Sequence, residues 1–178
     1  MIPILANAGV PMIFVTLPAM IYLIVPVIVI EFLAGRRLLT EERSKTKWIG
    51  LTVANLASTF LGWPLAWLVL VVLQMTTGGG GAHGLDSPLG VILSVTQQAP
   101  WLIPYEDDLY WMIPIAMAVL LIPFFFVSVF SERLILSFIW RQEEKSAVRR
   151  FTWNAHMWSY GFLLVVVIVY AIYSLATK

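Results

Sequence analysis

Six polar residues stand in stretches otherwise suited to lipid: Glu31, Asn55, Ser58, Glu132, His156 and Ser159. Their spacing is regular. Glu31 and Glu132, Asn55 and His156, and Ser58 and Ser159 are each 101 residues apart. Carboxylates beside an imidazole can pass a proton or hold an ion, and a histidine with an ordinary pKa of about 6.5 changes charge in the working range. The same residues can also act as glue between helices, where polar contacts average about 0.6 kcal/mol. Ala54, Ala57, Ser58 and Gly62 are small enough for the close helix approach that such a role uses.

Glu31 lies five residues before Arg36, and Asn55 eight residues after Lys47. At about 1.5 Å per residue, both sit roughly 7–12 Å beneath a charged layer. The spacing predicts two couples, Glu31 with Asn55 and Glu132 with His156, each joining the two helices of one hairpin. Ser58 and Ser159 are expected near the same face, one turn deeper.

The elements that must position these residues are membrane helices. Of the 178 residues, 60% are apolar and 12% charged, against about 45–50% and about 25% in soluble domains. Four apolar runs reach the length of about 20 residues that a span needs. They cover residues 11–33, 48–73, 109–130 and 151–175. Prolines 18, 26, 64, 114 and 123 fall inside them. In a membrane bundle, hydroxyls and neighbouring helices can satisfy the carbonyls that proline frees, so the helices are retained and kinks expected.

Ten of the eleven basic residues lie in two segments, 34–47 and 131–150, and the last is Lys178. The segment 74–108 has no Lys or Arg but carries Asp86, Glu106, Asp107 and Asp108. The positive-inside rule then predicts both basic loops in the cytoplasm and both termini on the outer side. The opening residues lack a basic n-region and are expected to be retained. Within 74–108, "TTGGGGAHG" reads as a linker. "DSPLGVILSVTQQAPWLIPYEDD" starts with Asp86 or Ser87 as N-cap and Pro88 at the first helical position. An apolar run of this length is too short to span and is expected to be interfacial, re-entrant or packed on the bundle. Trp101, Tyr105, Tyr110 and Trp111 fall where an outer aromatic belt belongs, and Asp107 and Asp108 are placed to cap the third span.

The 101-residue offset also aligns "ANLAST" with "AHMWSY" and, with a slip of one, "EERSKTK" with "EEKSAVRR". Both halves begin on the same side, so the expected relation is a parallel repeat about an axis along the membrane normal.

Several chemistries find no support. Cysteine is absent, which removes disulfides, thiolate catalysis and thiolate-bound metals. No nucleophile motif such as G-x-S-x-G occurs, so no catalytic residue is assigned. The two histidines, His83 and His156, are predicted on opposite sides of the membrane, and no metal site is expected. The glycine run lacks the Lys-Ser/Thr of a phosphate loop. His156 with the aromatics could serve a haem or quinone, but no cofactor is required. Net charge is +1 and the basic loops are diluted with glutamate, so nucleic acid is not an expected partner.

"NAGVPMIF", "IEFLAGRRL", "ANLASTFLGWPLAWL", "QQAPWLIPYEDDLYWMIP", "PFFFVSVFSE" and "AHMWSYGFLL" resemble segments of a group of bacterial four-span integral membrane proteins. The resemblance covers nearly the whole chain and implies the fold, with no activity and no residue role attached.

The expectation is therefore an all-α membrane protein of four transmembrane helices, with a parallel two-hairpin repeat and an extra outer segment. It is placed in a bacterial inner or thylakoid-type membrane. Its expected work is that of a non-catalytic accessory, scaffold or assembly subunit, with other membrane subunits or a second copy as partners. A small transporter or channel using the six polar residues is the alternative. A membrane enzyme has no residue evidence.

Overall fold

The computed structural model of this protein describes residues 9–39, 44–77, 81–103 and 105–178. The opening residues expected to be retained, Arg43 and the first three linker glycines lie outside the described residues. The chain runs β1 (Val10–Pro11), α1 (Ile13–Gly35), α2 (Ser44–Ala57), a π-helical turn (Ser58–Gly62), α3 (Trp63–Thr77), α4 (Pro88–Val95), β2 (Trp101–Leu102), α5 (Leu109–Ile139) and α6 (Lys145–Ala176). Among the described residues, four helical stretches are long and apolar enough to cross a membrane: Ile13–Leu38, Lys45–Thr77, Leu109–Ile139 and Lys145–Ala176. This is a multi-pass membrane protein.

The helices outrun their apolar cores. α5 continues for nine residues beyond Phe130, and α6 starts six residues before Phe151. Charges at Glu132 and Arg133 look like a membrane exit in sequence. Glu132, however, is buried and hydrogen-bonded inside the bundle, so the helix has no reason to stop there.

One interior proline is accommodated by a hydrogen bond from a neighbouring helix. Pro114 has no amide to close on the carbonyl of Tyr110. The hydroxyl of Ser174 on α6 donates to that carbonyl at 2.8 Å. Pro18, Pro26 and Pro123 likewise stand inside unbroken helices.

Around the bundle, α1, α2 with α3, α5 and α6 each touch the next, and α6 returns to α1. Side chains fill the interior in two apolar layers. One, at the end bearing residues 34–39 and 140–144 (the basic end), joins Leu51, Leu136, Trp140, Val148 and Phe151. The other joins Met20, Trp63, Met112, Leu120, Phe124 and Leu163, with Trp63 stacked on Phe124 at 4.3 Å between ring centroids. Gly35 ends α1 against the ring of Phe151, where a Cβ would collide. At the same end Lys47 and Glu143 form an ion pair at 3.1 Å.

At the opposite end, α4 carries its N-cap on Ser87, whose hydroxyl accepts from the Gly90 amide at 3.1 Å. Of the two cap residues considered, Ser87 takes the role. Asp108 precedes α5 but makes no side-chain cap bond; its carboxylate instead accepts from the Trp111 indole at 2.8 Å. Unforeseen in sequence, Val10–Pro11 pairs antiparallel with Trp101–Leu102. Gly9 makes this closure with φ +76°, where a side chain would meet Trp101 and the Leu102 carbonyl.

Candidate functional site

All six polar residues singled out by sequence converge at one point between the two apolar layers. Glu31 of α1, Asn55 of α2, Ser58 of the π turn, Glu132 of α5, and His156 and Ser159 of α6 are buried. Glu31, Glu132 and His156 are each 1% exposed. The convergence is complete, but the pairing differs from two separate couples.

The Asn55 amide nitrogen donates to Glu31 Oε2 at 2.8 Å and to Glu132 Oε2 at 3.1 Å, with the Leu51 carbonyl at 3.2 Å. One amide therefore clasps both carboxylates. Ser58 Oγ donates to Glu132 Oε1 at 2.6 Å, and Ser159 Oγ donates to Glu31 Oε1 at 2.8 Å. Each carboxylate thus receives its serine from the other hairpin. The couples within one hairpin are both present, Glu31–Asn55 as a hydrogen bond and Glu132–His156 as a 3.5 Å approach. The crossed bonds bind them into a single centre.

His156 is oriented from its own helix. Its Nδ1 lies 2.8 Å from the Thr152 carbonyl, one turn earlier. A carbonyl only accepts, so Nδ1 carries the hydrogen. Nε2 then faces the carboxylates, 3.5 Å from Glu132 Oε1 and 3.8 Å from Glu31 Oε1, and has no hydrogen-bond partner. The ring lies between Phe125, edge-on at 6.3 Å, and Tyr160, stacked at 6.1 Å.

The local backbone explains why α2 can present two donors here. A π turn inserts one extra residue into the helical repeat and often marks a functional position. It begins at Ser58, directly after the turn that carries Asn55. Thr59 is buried beside it.

Sequence reasoning missed the pair Ser128–Tyr160, whose hydroxyls lie 2.9 Å apart. The signal was present: Ser128 and Tyr160 lie four residues from Glu132 and His156, hence on the same helix faces. The expectation of no metal site rested on the two histidines lying apart; one histidine and two glutamates from three helices meet here. The ligand-type atoms of Glu31, Glu132 and His156 lie within 4.8 Å of one another. His83 sits apart, at the opposite end, with Nε2 2.7 Å from Gln97 Oε1.

No known family, curated protein or solved structure matches this chain.

Proposed function

We propose that this protein is a non-catalytic accessory or assembly subunit of a larger membrane complex. The observation that carries this reading is Tyr22. It lies nine residues into α1 and is 85% exposed, about 14 Å along the helix from its start at 1.5 Å per residue. That is near mid-depth of a hydrocarbon core about 30 Å thick. A phenol facing lipid tails there has nothing to bond with, whereas a neighbouring subunit's helix offers a carbonyl or hydroxyl. Pro26 adds to the demand, because it has no amide to offer the Tyr22 carbonyl. Phe14, Pro18, Tyr22 and Val25 form one exposed stripe along α1. The polar centre, by contrast, lies between packed apolar layers, which suits a fixed core better than a path.

Extraction in mild detergent from the native host, followed by native electrophoresis and mass spectrometry, tests this. Migration within a defined larger assembly, weakened by Tyr22→Leu, is the expected result. A lone monomer or homodimer would overturn it. A homodimer would also turn attention to the second reading, a small cation transporter using Glu31, Asn55, Glu132 and His156. The π turn beside the centre favours that reading, since it is a place where a helix can change register. Proteoliposomes without proton or ion flux would dismiss it.

The same reading places the basic loops toward the cytoplasm of a bacterial inner or thylakoid-type membrane, and α4 at the outer interface. The parallel two-hairpin repeat belongs here too. Its support is reciprocal bonding, in which Glu31 takes Ser159 and Glu132 takes Ser58.

A further inference from the structure

We infer that Glu31, Glu132 and His156 bind a divalent first-row transition cation within the bundle. Three observations converge. The first is donor spacing. Two donors each about 2.1 Å from a metal stand roughly 3.0–3.8 Å apart for bond angles of about 90–130°. His156 Nε2 lies 3.5 Å from Glu132 Oε1 and 3.8 Å from Glu31 Oε1, both in that range, and ligand-type atoms of all three residues lie within 4.8 Å of one another.

The second observation is the orphaned nitrogen. Nε2 is buried and makes no hydrogen bond among the described residues, with a carboxylate oxygen of each glutamate in ion-pair range, while Nδ1 is committed to the Thr152 carbonyl. A metal-bound histidine is held in this way, its far nitrogen anchored to a carbonyl so that the near lone pair points at the ion. Without a positive charge in the gap, that lone pair would face two carboxylate oxygens.

The third is the outer shell. Asn55, Ser58 and Ser159 orient both carboxylates through four hydrogen bonds. Such partners fix ligating carboxylates. Charge then selects the valence: two carboxylates and a neutral imidazole are neutralised by one dication, and a buried site tolerates little net charge. An imidazole donor and a small oxygen set favour Zn²⁺, Mn²⁺ or Fe²⁺ over Ca²⁺ or Mg²⁺, which take oxygen-rich shells. The absence of cysteine argues against soft monovalent copper.

Two protons would balance the same charge, and the experiment separates these cases. The full chain is produced with Zn²⁺ or Mn²⁺ in the medium, purified in detergent and stripped of loose metal by a weak chelator. Elemental analysis and X-ray absorption follow. The expected result is about one metal per chain in a nitrogen/oxygen shell containing one imidazole. His156→Asn, checked for unchanged elution and helical content, is expected to lose it, and Asn55→Ala to weaken retention by about tenfold or more. Metal-free wild-type protein after growth in each of the two cations would overturn the inference, as would undiminished metal in folded His156→Asn. If the variants fail to fold, the wild-type stoichiometry and shell decide alone, and a shell without imidazole counts against the site.

Discussion

Asn55 serves two carboxylates with one amide group, which makes it the most connected side chain of the centre. Asn55→Ala leaves Glu31 and Glu132 each short of a donor in a site closed to water. Leaving a buried acceptor unsatisfied costs about 1–3 kcal/mol, so the thermal midpoint in detergent should fall clearly. Ser58→Ala removes one bond and leaves Glu132 its contact with Asn55, so a smaller loss is expected. Equal midpoints for the two variants would show that the centre is not organised around Asn55. The six residues were legible because polar groups are rare in apolar runs and these recur at a fixed offset. Their crossed partnership was not legible, because depth along each helix follows from counting residues whereas the facing of one helix toward another does not. For the same reason Tyr160, with Trp158 and Phe162 each two residues away, does not stand out from ordinary membrane composition.

At the scale of elements, Pro114 and Ser174 form a testable unit. Ser174→Ala deprives the Tyr110 carbonyl of its donor and should cost about 0.6 kcal/mol, the usual size of such a bond in a membrane. In a Pro114→Ala background the helix supplies its own amide, and the same serine change should become neutral. Additive effects in that double-mutant cycle would sever the link. Gly9→Ala forces a side chain into a left-handed conformation, a cost of about 1–2 kcal/mol, and against Trp101. Faster amide exchange across residues 101–103 is the expected signature. All four membrane helices could be read from apolar runs, as could α4 from Ser87 and Pro88. The strand pair could not, since Val10–Pro11 and Trp101–Leu102 are two residues each and meet only once the bundle brings their ends together.

For the molecule as a whole, sidedness is the open variable, and a chain without cysteine is ready for single-thiol mapping. Ala82 and Gln142 are exposed at opposite ends of the bundle. Ala82→Cys should react with an impermeant maleimide in intact cells, and Gln142→Cys only after lysis. The reverse pattern would invert the orientation.

The crossed carboxylates also set a timetable. Glu31 meets Asn55 only 24 residues on, but Ser159 lies 128 residues later. During synthesis the contact with Asn55 therefore becomes available well before the one with Ser159. Truncation before α6 would leave Glu31 without the second of its two donors, so the clasp is complete only once α6 has joined the bundle.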